Sequence, residues 1–181
     1  MSRNTLLLQA IALPLFALST VAQSTGSYGI SDGKAPIFQR PDIVIESKKI
    51  DRVEVLENFF TKYDSPLKGN AKTFVEVADK YGMDYKLLPA ISCMESSCAK
   101  HLIVDSYNPF GWGIYGKNAI YFKNYDEAIE TVGKGIAERY INRGFDSVAK
   151  IAPIYTPPNS RNWGNGVNYF ISKINEEEVK L

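Results

Sequence analysis

The amino-acid sequence predicts a mainly α domain carrying one small β-hairpin, an α+β arrangement in which helices dominate. Three observations predict it. From Ile50 onward, apolar residues recur at helical spacing in segment after segment. Gly, Asn, Asp and Pro punctuate those segments into pieces of ordinary helix length. One stretch, GIYGKNAIYF, instead alternates on either side of Gly116-Lys117-Asn118, which is the pattern of a hairpin with those residues at its tip. The composition suits such a domain: 45% of the 181 residues are hydrophobic and 23% charged, ordinary for a globular chain with one core.

The first 22 residues stand apart. A single Arg3 precedes the apolar run TLLLQAIALPLFA, and small residues follow up to Ala22. This is the layout of a secretory signal peptide, or of an uncleaved N-terminal membrane anchor. Both readings place the remainder outside the cytoplasm: periplasm, cell envelope or extracellular space. Residues 23–49 are rich in Ser, Gly, Pro and charge without a sustained period, and read as a linker.

Residues 50–178 carry the domain. Val53, Leu56, Phe59 and Phe60 mark a first helix, broken at Tyr63-Asp64-Ser65-Pro66. Phe74, Val77, Ala78 and Tyr81 mark a second, closed by Gly82. Asp84 is a candidate cap for a third, running through Leu87, Leu88, Ile91 and Glu95. The hairpin follows. Asn124 with Glu127 signals the start of a long helix through Ala128, Ile129, Val132, Ile136 and Tyr140. A short helix covers residues 146–152, a loop covers Tyr155 to Asn159, and Val167, Phe170, Ile171 and Ile174 mark the last helix.

Charge is nearly balanced, 21 Lys and Arg against 20 Asp and Glu, and no basic stripe alternates with aromatics. That argues against a nucleic-acid partner. One histidine and two cysteines do not make a metal site, no nucleotide-binding loop is present, and no cofactor is expected. Cys93 and Cys98 are five residues apart. In a continuous helix they are too distant to bridge unless the helix ends between them, so the spacing favours two small buried residues over a disulfide. Cys98 and His101 as a thiol–imidazole pair would point to a cell-wall peptidase, but no third group orients the histidine.

Three segments concentrate unusual residues: Glu95-Ser96-Ser97 at a helix end, Ser106 to Gly113, and Tyr155 to Ser160 with Trp163. Glu95 lies in a run of small and apolar residues, where a carboxylate is costly unless paired or neutralised. Taken in order, LLPAISCMESS, SYNPFGWGIYG, FKNYDEAIETVGKGIAERYINRG and IAPIYTPPNSRNW resemble the glucosaminidase branch of the lysozyme-like superfamily, over about residues 51–174. The resemblance implies a two-lobed lysozyme-like fold and an enzyme that cleaves peptidoglycan glycan strands. It implies that Glu95 is the general acid, with Ser96, Tyr107, Asn108, Phe110, Trp112 and Tyr155 contributing to the glycan groove. Cys93 and Cys98 stand where the family pattern is Gly-like and Phe-like. The residues themselves suit that chemistry: proton delivery to a glycosidic oxygen needs an acid of raised pKa, and apolar walls raise it. Asp105 is the candidate second carboxylate; Asp126 and Glu127 read better as first-turn helix residues. Without a second acid, attack by the substrate's N-acetyl group or by a sugar hydroxyl remains, the latter as in a lytic transglycosylase. A groove that binds glycan without cutting it is the non-enzymatic alternative.

Overall fold

In the computed structural model, residues 50–114 and 118–181 are described. The proposed signal segment, the linker and part of the hairpin tip (Gly116 and Lys117) lie outside them. All described helices belong to one unit, residues 46–181.

Six α-helices form it: α1 (Arg52–Lys62), α2 (Ala71–Tyr81), α3 (Leu87–Ser96), α4 (Tyr125–Arg139), α5 (Val148–Tyr155) and α6 (Ser160–Glu178). Their ends follow from local chemistry. The Asp51 side chain accepts the Val53 and Glu54 N–H groups at the start of α1. Gly82, at φ 65°, closes α2 in the left-handed conformation. Asn124 accepts the Glu127 N–H at 2.9 Å, while Glu127 accepts the Lys123 N–H at 2.6 Å, a reciprocal cap on α4.

Helix α3 is the centre of the packing. Leu87 to Cys93 are all buried, so this helix has no solvent stripe over most of its length. It packs against α6, which also contacts α1 and α5, and α2 packs on α4. Phe59, Phe60, Phe74 and Phe110 are fully buried among Leu56, Leu67, Leu88 and Ile91. Each such side chain contributes roughly 1.5–3 kcal/mol relative to exposure. Glu177 fastens α6 to α1: its buried carboxylate accepts from Lys180 and Lys62, which together hold its pKa below the usual glutamate range.

The main helices agree with the sequence pattern, and four details differ. Asp84 does not cap α3; its carboxylate accepts the Lys86 N–H in a preceding turn, and the helix begins at Leu87. The expected loop from Tyr155 to Asn159 is the end of α5 plus a 3-10 turn, Pro157–Asn159. Helix α6 begins at Ser160, so Trp163 is helical. No strand occurs among the described residues; Asn118 is an isolated bridge position.

Candidate functional site

Glu95 sits in the last turn of α3. That helix is terminated by an unusual run: Ser97, Cys98 and Ala99 all have positive φ, 53°, 60° and 64°. A non-glycine residue in the left-handed region costs roughly 1–2 kcal/mol, so this turn must be held from outside. Cys93 and Cys98 hold it as a disulfide, with Cα atoms 3.7 Å apart. The expectation of two unpaired cysteines is therefore corrected: the helix ends between them, and the left-handed turn brings Cys98 back onto Cys93. Because neither thiol is free, the Cys98–His101 nucleophile pair is excluded.

Two serines complete the clamp. The Ser65 hydroxyl donates to the Cys98 carbonyl at 2.8 Å. Ser96 Oγ accepts the Ala99 N–H at 3.0 Å and lies within 2.9 Å of the Ser92 carbonyl and 2.8 Å of the Pro109 carbonyl, either of which can accept its proton. Ser96 thus ties the end of α3 to the loop that follows.

That loop, residues 106–113, is organised by Asn108. Its buried amide donates to the Trp112 and Ile120 carbonyls at 2.9 and 3.1 Å, and its Oδ1 accepts the Trp112 N–H at 3.0 Å. The closure brings Gly111, at φ 61°, against the acid; a Cβ there would stand 3.8 Å from Glu95 Oε2. Any other residue at 111 would strain the backbone, although its Cβ would meet the carboxyl only at ordinary contact distance.

From α6, the Trp163 indole N–H donates to Glu95 Oε1 at 2.6 Å. Trp163 is itself stacked on Tyr155, with ring centroids 4.6 Å apart and planes at 26°, and Tyr155 lies 6.1 Å from Tyr140. One carboxyl oxygen of Glu95 thus meets the indole and the other faces the glycine turn, while the residue as a whole remains exposed to solvent. Burial raises its pKa above the ordinary glutamate value, while the Trp163 N–H, which favours the charged form, lowers it; burial prevails.

Glu95 opens into a cleft of about 350 Å³, lined also by Phe110 to Ile114, Ile120, Arg139, Tyr140, Tyr155 and Thr156. Of the residues singled out in the sequence, the structure brings Glu95, Phe110, Trp112 and Tyr155 to this cleft. It does not bring Ser96, Tyr107 or Asn108 to the lining. Ser96 and Asn108 are buried braces, and exposed Tyr107 meets Tyr125 edge-on at 5.2 Å. Asp105 is an exposed turn residue, also outside the lining. Asp126 accepts from Asn70 and Thr73 in the first turn of α4. Glu95 is the one carboxylate of the cleft among the described residues.

Polar and aromatic side chains not assigned to the site from the sequence are Arg139, Tyr140 and Thr156 in the cleft lining and Trp163 beside it on Glu95. Trp163 and Thr156 carried a signal, both belonging to the third unusual segment. Thr156 Oγ1 is buried without a hydrogen-bond partner, and Arg139 lies over the Trp112 ring. A second hollow of similar volume beside Ile50–Val53 and Val75 has its charges already engaged: Asp51 caps α1, and Arg52 pairs with Asp79 at 2.7 Å. Among the described residues no group of His, Cys, Asp and Glu could hold a metal ion.

Two expected results follow from the acid's surroundings. Trp163→Phe keeps the ring stack and removes the N–H, so the Glu95 pKa should rise further. For a reaction in which Glu95 acts as an acid, the alkaline limb of the pH–rate profile should then move to higher pH, and a shift to lower pH would refute the role of the indole. Stability gives a second readout. A carboxyl whose folded pKa is raised keeps its full contribution below the unfolded pKa and loses it as pH rises through the folded pKa. Glu95→Gln should therefore unfold at a higher temperature than wild type at pH 7, with the gap narrowing toward pH 4; calorimetry at both values measures it.

Neither a protein-family model nor a curated protein sequence matches this chain.

Proposed function

We propose that this protein cleaves the glycan strands of peptidoglycan, acting as an endo-β-N-acetylglucosaminidase with Glu95 as general acid. The observation that carries the reading is the partly desolvated Glu95 carboxyl, raised in pKa by burial and addressed by the Trp163 N–H at the wall of an aromatic cleft. Sugar rings stack on aromatic faces such as Trp112 and Tyr155 and present hydroxyls to unpaired polar atoms such as Thr156 Oγ1.

In this reading, protonated Glu95 gives its proton to the glycosidic oxygen as the bond to the anomeric carbon breaks. With no second carboxylate in the described lining, the electron deficit at that carbon is met by the substrate. The carbonyl oxygen of the neighbouring N-acetyl group attacks to give a cyclic intermediate, and water, deprotonated by the Glu95 carboxylate, opens it. Attack by a sugar hydroxyl instead would end the strand in an anhydro sugar, as in a lytic transglycosylase. A two-lobed lysozyme-like arrangement and an exported location, with or without an N-terminal anchor, belong to the same proposal.

The test is mass spectrometry of purified peptidoglycan after digestion. Reducing N-acetylglucosamine ends are the expected product. Reducing or anhydro-muramic ends would move the activity to the muramidase or transglycosylase class. Intact strands that nevertheless retain the protein would replace the enzyme with a binding module.

A further inference from the structure

Arg139 is the charged donor of the cleft lining, and it is engaged there by an aromatic ring rather than by a carboxylate. It stands at the end of α4, exposed, with its guanidinium carbon 4.8 Å from the centre of the Trp112 ring. Its neighbours on that helix are engaged: Lys134 pairs with Glu138, and Glu130 with Lys80. Arg139 itself makes no ion pair with any described carboxylate.

The placement is built. Gly135 lies one turn before Arg139, and a Cβ there would come within 2.5 Å of the Trp112 ring. The indole therefore lies directly on α4, with the guanidinium over it. A guanidinium held on a ring has lost part of the side-chain freedom that ligand binding would otherwise remove. Its planar fork of N–H groups matches a carboxylate in bidentate fashion, which an ammonium does not.

We propose that Arg139 is an anion-recognition residue of this cleft: it receives a carboxylate carried by the bound glycan strand, so that acidic strands are preferred to neutral ones. The inference rests on the glycan reading above. Such a carboxylate has two sources. The lactyl ether of muramic acid ends in a carboxyl that is an amide wherever a peptide stem is attached; it becomes an anion only after that amide has been hydrolysed. The stem peptide's own carboxylates are the second source. In the first case, the reaction that supplies the preferred substrate is hydrolysis of the lactyl amide.

The experiment is a binding titration with the full chain carrying Glu95→Gln, so that cleavage is not the readout. Four ligands are used: peptide-free strands, the same strands with carboxyls reduced to alcohols, stem-bearing strands, and stem-bearing strands with the peptide carboxyls amidated. Each is titrated into Glu95→Gln, into Glu95→Gln with Arg139→Gln, and into Glu95→Gln with Arg139→Lys. The expected result is that removing the carboxylate weakens binding about tenfold in Glu95→Gln, does not change it in the Arg139→Gln double variant, and has an intermediate effect with Arg139→Lys. The ligand pair in which this coupling appears identifies the source. Equal weakening in all three proteins, no weakening in any, or no binding of any strand by Glu95→Gln overturns the proposal. Failure of the glucosaminidase reading is seen separately, as intact strands or different ends after digestion by wild type while the coupling persists.

Discussion

Glu95→Gln is expected to slow the proposed glycan-strand cleavage by about 10²–10⁴-fold, the usual contribution of a positioned general acid. The substitution is nearly isosteric, and the amide oxygen can still accept the Trp163 N–H that the carboxylate accepts at 2.6 Å. What the amide cannot do is release a proton to the leaving oxygen. Glu95→Asp separates proton from position: it retains the acid but shortens the reach by one methylene, withdrawing the carboxyl from Trp163. A loss for Asp comparable to that for Gln would show that position matters as much as acidity. The measurement is the initial rate of reducing-end release, with binding followed in parallel. A Gln variant within threefold of wild type would remove Glu95 from the chemistry.

Replacing both cysteines, Cys93→Ser with Cys98→Ser, should cost about 2 kcal/mol of stability, from the loop-closure entropy of so short a ring. The loss of activity should be disproportionate. The disulfide spans Glu95 and holds three consecutive left-handed residues, Ser97 to Ala99. Without it, the Ser65 and Ser96 hydroxyls and the His101 N–H bond to the Ser96 carbonyl oppose the tendency of those residues to leave the left-handed region. The last turn of α3 then loosens, and with it the angle at which Glu95 meets Trp163. Urea unfolding measures the first effect and kcat the second. Unchanged kcat in a fully folded double variant would show that the disulfide serves stability alone.

The helices were legible because their signals are local and strong: Gly82 after Tyr81, Asn124 before Glu127, and apolar faces through Leu56 and Ile129. The start of α6 was missed because Pro157, Pro158 and Asn159 read as a loop; instead they form a 3-10 turn leading directly into Ser160. Glu95 itself was conspicuous as a lone carboxylate in an apolar run. Its partner was not, since Trp163 is 68 residues away and nothing in the chain links the two. Asn108 shows the opposite failure. An asparagine beside Pro109 in an aromatic loop looks like a ligand contact, yet its amide is occupied by the Trp112 and Ile120 backbone. The disulfide was read away because it depends on a left-handed reversal that non-glycine residues rarely make.

The long sequence separation between Glu95 and Trp163 bears on when the acid acquires its character. The Cys93–Cys98 ring closes over only five residues, a local contact with little chain to bring together. The indole arrives only when α6, the latest of the described helices in sequence, docks against α1, α3 and α5; such non-local contacts are gained late, after their entropy of closure has been met. Until that docking, Glu95 lacks both the burial that raises its pKa and the indole N–H that opposes the rise. The raised pKa at this position is thus a product of completed folding, and the proposed acid chemistry would be absent from a partly unfolded chain even with the α3 turn already in place.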